Sequence, residues 1–239
     1  MDVLAMLDEV RGNTNVLEHP FYRRWSAGEL REGELGVYAG QYRHAVLALA
    51  QASTLAVDCA AAGEGVSAHA AEELRAHARE EAAHVALWDR FARAAAGPAA
   101  VADGAPQEPG APQEPSDASA PAPARAQTRA CVDAWTAGGG LLEHLAVLYA
   151  IEAGQPQVSQ TKLEGLVAHY SFSEEGPATE YFRVHRLRDV EHADQARALI
   201  AELFDGAPER ERRAARMVAR ASAALRGNWL LLDGVEAAV

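Results

Sequence analysis

Cysteine is scarce: the 239-residue chain holds two, Cys59 and Cys131. They lack C-x-x-C spacing and cannot build a disulfide framework, so free thiols in a reducing, cytoplasmic setting are expected. Long apolar runs are lacking as well. Charges interrupt them short of the roughly 20 residues a bilayer requires, and the opening Met-Asp-Val-Leu-Ala carries no basic region or cleavage signature. Positive charge is in the minority, 22 Lys and Arg against 34 Asp and Glu for a net charge of -12. That balance argues against nucleic acid and anionic membranes, both of which need a basic footprint. β-branched residues are sparse and no alternating strand pattern appears, so sheet classes are excluded. Lysine is nearly absent: Lys162 is the only one among the 22 basic residues.

What is present is helical. Alanine, leucine, glutamate and arginine dominate, and 49% hydrophobic content over this length supports one large core in a single domain, residues 1–239. The pattern predicts helices near 2–11, 18–26, 31–62, 67–96, 126–170 with a break at Pro156, 178–204 and 208–232. Between the fourth and fifth, residues 97–125 hold seven of the eleven prolines and an immediate repeat, Gly104-Ala-Pro-Gln-Glu-Pro109 then Gly110-Ala-Pro-Gln-Glu-Pro115. This Pro/Ala-rich segment is expected to be a disordered loop inserted within the domain.

The most informative stretch is His185-Arg-Leu-Arg-Asp189-Val-Glu-His192. At about 100° per helical residue, positions 185, 189 and 192 fall within an arc of roughly 60° and project the same way. Two imidazoles and a carboxylate on one stripe suit iron or manganese and leave positions open for dioxygen or substrate. Arg79-Glu-Glu-Ala-Ala-His84 offers Glu81 and His84 at i, i+3, the spacing with which helix bundles aim a carboxylate and an imidazole at one ion. Glu80 competes with Glu81, and His77, two turns before His84 on the same face, can substitute for Glu81 or join it. Glu152 follows the apolar run Leu145-Ala-Val-Leu-Tyr149, where a lone carboxylate is costly without a cation or partner. Glu81, His84, Glu152, His185, Asp189 and His192 suffice for two metal ions with bridging carboxylates. Taken singly, the Glu-Glu-Ala-Ala-His run also reads as a solvated face with i, i+4 charge pairs.

Lys162 raises a separate question. Arginine cannot lose its proton or donate an amine, so one lysine retained in an arginine-biased chain suggests a position where an amine is needed, although chance alone can leave one. It lies ten residues after Glu152 and can approach the metal if Pro156 only kinks a continuous helix.

These residues also carry a resemblance that covers nearly the whole chain outside the insert. His19-Pro-Phe-Tyr22-Arg-Arg-Trp25-Ser-Ala-Gly28-Glu-Leu30, Tyr38-Ala-Gly-Gln-Tyr42, His84-Val-Ala-Leu-Trp88-Asp-Arg-Phe91, Leu148-Tyr149-Ala-Ile-Glu152, Gly165-Leu, Tyr170-Ser-Phe172 and His185-x3-Asp189-x2-His192 resemble haem-oxygenase-like helical proteins related to TenA and PqqC, and in detail the CADD-like para-aminobenzoate synthases of folate metabolism. The resemblance implies an all-α, seven-helix up-down bundle with a non-haem centre of two irons, or iron and manganese, that uses dioxygen and an external reductant. It also implies that para-aminobenzoate forms from an internal tyrosine, here Tyr22, with Lys162 as amino donor and Tyr38 and Tyr42 as nearby aromatics. One departure stands out. The CADD-like first carboxylate precedes its histidine by seven residues, whereas Glu80 and Glu81 precede His84 by four and three; the resemblance to the broader oxidase group, whose members look to use Glu-x2-His spacing, favours Glu81 and leaves Glu80 and His77 in play. Thiamin-degrading TenA relatives need a nucleophilic cysteine, and neither Cys59 nor Cys131 falls at a matching motif. The alternatives are an oxidase acting on an external small molecule and a bundle without metal chemistry. Expected partners are a small molecule or the protein's own side chains, and a second copy of the chain, with no nucleic acid and no membrane.

Overall fold

A computed structural model describes residues 2–31, 33–63, 65–97, 122–206 and 208–238. Among these the elements are α1 (Val3–Asn13), a single 3-10 turn (Val16–Glu18), α2 (Pro20–Ala27), α3 (Glu34–Ala62), α4 (Ala68–Ala95), α5 (Ala126–Thr136), α6 (Leu141–Glu152), α7 (Gln155–His169), α8 (Glu180–Asp205) and α9 (Arg210–Glu236). The all-α, haem-oxygenase-like reading holds. Local chemistry sets the ends: Asp2 and Ser67 accept the Ala5 and Ala70 N–H groups at the starts of α1 and α4, and Gly28 at φ 72° closes α2.

The segment expected as helix over 126–170 with a break at Pro156 is three helices, α5, α6 and α7, so it carries one break more than expected and the bundle goes beyond the seven helices expected. The first break is Gly138-Gly139-Gly140, where backbone entropy disfavours helix and the Glu143 carboxylate accepts the Gly140 N–H to start α6 afresh. The second falls at Ala153-Gly154, and Pro156 sits in the first turn of α7, where its missing N–H costs nothing. Pro156 therefore opens a helix rather than kinking one, and Glu152 and Lys162 lie on different helices.

Most of the expected disordered insert lies outside the described residues. Its last four residues are an exception to the expectation: the Ala122 carbonyl meets His44 Nε2 at 2.8 Å, the Pro123 carbonyl accepts from Gln41 Nε2, and the Arg125 N–H donates to Gln41 Oε1. α3 is also long and apolar enough to cross a membrane by length and composition, contrary to the reading that apolar runs fall short. Yet Tyr38, Tyr42, Ala45, Ala52 and Ala56 of α3 are buried among the other helices. α3 packs on α4, α5 and α6, while α8 packs on α4, α6 and α7, so helices before and after the insert share one core. Trp25, Trp88 and Trp135 are fully buried in it, each contributing on the order of 2–3 kcal/mol by leaving water.

Candidate metal centre

α4 buries one stripe, Leu74, His77, Glu81, His84, Trp88 and Phe91, and α8 buries Tyr181, His185, Asp189, His192 and Ala196. These are the 3.6-residue faces turned to the core, and Glu152 joins them from the last residue of α6. All six side chains expected at the centre are buried, and His77 is buried with them.

They form two groups that share Glu81. One contains His77, Glu81, Glu152 and His192, the other Glu81, His84 and His185, and within each the ligand atoms lie within 4.8 Å of one another. The Glu81 carboxylate is 3.0 Å from His84 Nδ1, 3.7 Å from His192 Nδ1 and 3.9 Å from His185 Nε2. Asp189 stands at the seam, its Oδ1 3.8 Å from His192 Nδ1. Imidazoles face each other across the centre, His77 with His192 at 4.0 Å and His84 with His185 at 4.4 Å between ring centres.

The unsatisfied atoms are the strongest physical sign. His77 Nε2, Glu81 Oε2, both oxygens of Glu152 and of Asp189, His185 Nε2 and His192 Nδ1 are buried without a hydrogen-bond partner. Even His77 Nε2 and Glu152 Oε1, 2.8 Å apart, are not aligned for a hydrogen bond. Two donors each about 2.1 Å from one ion and at right angles to it are about 3.0 Å apart, so this proximity without alignment is the spacing of co-ligands. Buried polar atoms are otherwise nearly always paired, and a cluster of orphans converging on one point fits cations.

The outer contacts turn the lone pairs inward. His185 Nδ1 donates to the Tyr181 carbonyl at 2.7 Å, leaving Nε2 free toward Glu81. His192 Nε2 is 3.2 Å from Glu80 Oε2, leaving Nδ1 toward the centre. Glu80 itself is half-exposed and held by Arg188, so of the adjacent pair only Glu81 faces inward. Burial raises Glu152 and Asp189 above the usual carboxylate range. Burial opposes ionisation of Glu81 too, but His185 and His84 hold it well below that range. Burial likewise disfavours protonated His77, yet Glu152 beside it pushes it up to about 9.

Tyr22, Tyr38, Tyr42 and Lys162 form a second buried nest. The Lys162 Nζ lies 4.5, 5.2 and 5.6 Å from the ring centres of Tyr42, Tyr22 and Tyr38, and the Tyr22 and Tyr38 hydroxyls are 2.9 Å apart. Burial lowers the amine to about 7, against a partial pull upward from Asp189, and raises Tyr22 and Tyr38 well above the usual phenol range. α2 is fixed in place by His19, whose Nδ1 accepts the Phe21 N–H and whose Nε2 meets Asp233, and by Trp25, whose indole donates to the Lys162 carbonyl. Between nest and centre runs a chain of rings whose linking members, Tyr181 and Trp88, were given no role in the sequence reading. Tyr181 stacks on His185 at 3.8 Å, and steps of 4.8 Å to Trp88, 5.1 Å to Tyr42 and 5.2 Å to Tyr38 follow. Its signal was spacing: Tyr181 is one turn before His185 and Trp88 one turn after His84.

A helical bundle that buries a histidine–carboxylate centre beside an aromatic nest falls in the haem-oxygenase-like fold class. It matches a TenA homologue from Pseudomonas syringae pv. tomato with TM-score 0.74 and 16% identity over 98% of this chain and 91% of that one. It also matches a protein of heme oxygenase-like fold from Shewanella denitrificans with TM-score 0.68 and 16% identity over 99% and 89%. The chain belongs to the family of iron-containing redox enzymes, whose profile spans residues 39–226. Among curated relatives, it is 29% identical to the 4-aminobenzoate synthase of Chlamydia muridarum over 85% of this chain and 79% of that protein. To the 4-aminobenzoate synthase of Nitrosomonas europaea it is 28% identical, over 96% and 89%.

Proposed function

We propose that the chain is a non-haem dimetal oxygenase that forms 4-aminobenzoate from its own Tyr22, with Lys162 as the amino donor. The observation that carries this reading is the burial of the only lysine against three tyrosine rings within 5.6 Å. The names of the curated relatives support it.

Two ions, both iron or one manganese, would be held by His77, Glu152, His192 and a shared Glu81 on one side, and by Glu81, His84 and His185 on the other, with Asp189 within reach. Imidazole and carboxylate donors suit these metals. When bound, the pair supplies activation of dioxygen with electrons from an external reductant. The protein's own groups do the rest. The closely spaced rings from His185 through Tyr181, Trp88, Tyr42 and Tyr38 let a phenol be oxidised one electron at a time without touching the centre. The Tyr22–Tyr38 hydrogen bond fixes the orientation of the Tyr22 hydroxyl against its neighbours. At and above pH 7 a growing share of Lys162 is the free amine, the form with a lone pair for bonding to an oxidised ring. Full burial keeps water from quenching that ring. The two cysteines are free thiols, in keeping with a reducing cytoplasm.

Expression in a cell unable to make 4-aminobenzoate tests the reading. Growth rescue that disappears with Lys162→Arg and with Tyr22→Phe is expected. Rescue that survives both changes, or turnover that leaves the intact mass of the chain unchanged while an added compound is oxidised, sinks it in favour of an external substrate.

A further inference from the structure

The ligand stripes do not stop at the centre. On α4 the stripe of Glu81 and His77 runs on toward the helix start as Leu74 and Ala70. On α6 the face of Glu152 runs back as Leu148 and Leu145, and on α8 that of His192 runs forward as Ala196 and Leu199. Because His77 faces His192 and His84 faces His185, α4 and α8 are antiparallel, so these extensions reach the same end of the bundle. They enclose a cavity of about 20 Å³ with His77 and His192 at its floor. Half-buried Glu73 and exposed Gln195 stand at its mouth.

Size and lining together select the occupant. A cavity needs about 10–15 Å³ to hold one water-sized molecule, so this one takes a single small molecule and no organic substrate. Six of its ten lining side chains are aliphatic and form the stretch between the polar pair at the mouth and the histidines at the floor, where a passing water finds no hydrogen bonds and an apolar gas loses none. We infer that this shaft is the dioxygen port of the centre, admitting a diatomic apolar gas to the His77–His192 face and barring anything larger. The inference rests on the oxygen-consuming reading above and gives it a direction. Gas arrives at the aliphatic end of the α4 and α8 stripes, while Tyr181 and Trp88 extend the same stripes at the opposite, aromatic end toward Lys162.

The experiment begins without metal. Crystals of the metal-free full chain pressurised with xenon are expected to show the atom between Leu74 and Leu199 above His77, and crystals of Ala196→Leu to lack it. No xenon there in the parent protein overturns the port. In the metal-loaded protein, Ala196→Leu is expected to slow the reaction of the reduced centre with dioxygen at least tenfold, at unchanged metal content and melting temperature; an unchanged rate overturns it. Should that variant fail to fold, Ala70→Val narrows the same shaft from α4 and is read in the same way. Xenon in place and a slowed variant, with no 4-aminobenzoate formed, would uphold the port and reject the proposed product.

Discussion

Lys162 Nζ lies 4.5 Å from the centre of the Tyr42 ring, and the side chain that carries it is 1% exposed. The amine is held to about 7 by burial, against 10.5 in the open chain. Between these values the unfolded chain holds a proton that the native protein lacks, so stability rises with pH across the window, and below pH 7 the cost of burying the charge is fully present. Lys162→Met removes that cost. The variant is expected to be more stable than the parent by on the order of 3 kcal/mol at pH 6.5 and by less than half of that at pH 9.5, in urea unfolding with chelator present. It should also form no 4-aminobenzoate. Equal stability at both pH values would show that the amine is not held uncharged.

Tyr22 and Tyr38 share a hydroxyl contact but not a role in this reading. Tyr22→Phe removes the phenol that is consumed, so product and the accompanying loss of chain mass should both vanish. Tyr38→Phe leaves the consumed ring intact and takes away its hydrogen-bond partner. Stability should then fall by about 1 kcal/mol, with product formation slowed rather than abolished. Intact-mass spectrometry after one turnover separates the two, and a Tyr22→Phe protein that still loses mass would move the sacrificed ring elsewhere.

Much of this arrangement was legible as periodicity. His185, Asp189 and His192 share one arc, and Glu81, His84 and Glu152 stand in helical runs, so their burial and convergence follow from which face of each helix meets the core. The choice between Glu80 and Glu81 was less legible, because both directions off α4 offer charge partners, and Arg188 on α8 draws Glu80 outward. His77 remained an alternative in sequence because its partner, Glu152, lies 75 positions away on another helix and only packing brings them to 2.8 Å. Of the two helix breaks in 126–170, the one at Pro156 was legible and the one at Gly138–Gly140 was not, for a local reason. Apolar periodicity on both sides of Gly138–Gly140 masks a run of three glycines, whereas the break at Pro156 is there, with Pro156 in the first turn of the helix that follows it. The ring chain from His185 to Tyr38 joins α8, α4 and α3, and no single-helix spacing reveals that.

Glu81 belongs to both candidate ligand groups, whereas Glu80 is held by Arg188 and reaches, among the candidate ligands, only His192 from outside. Glu81→Ala should therefore abolish binding at both positions. Glu80→Gln should keep two ions per chain but weaken affinity roughly tenfold, because it loosens the orientation of one ligand. Metal content by elemental analysis after desalting, with competition against a chelator, reads both effects. Two tightly held ions in Glu81→Ala would rule out the shared-carboxylate arrangement.

Gly165 on α7 shows how closely the tyrosine nest depends on backbone approach. A Cβ at this position would lie 2.5 Å from Cδ1 and 2.7 Å from Nε1 of Trp25, and the Trp25 indole is buried and anchored to the Lys162 carbonyl at 3.1 Å. The ring cannot move aside without breaking that bond, so α2 must shift away from α7 and take Tyr22 with it. Gly165→Ala would gain a little from helix propensity, and overpacking should outweigh it with a net loss of about 1–3 kcal/mol. The proposed metal ligands lie on α4, α6 and α8, none of which supplies the Gly165–Trp25 contact. Metal content should therefore remain at the parent level while product formation falls by an order of magnitude or more, since Tyr22 no longer sits 5.2 Å beneath the amine. Thermal unfolding, elemental analysis and a product assay on one preparation decide the matter: full product yield from a destabilised Gly165→Ala protein would mean that Tyr22 need not be held against Lys162 at all.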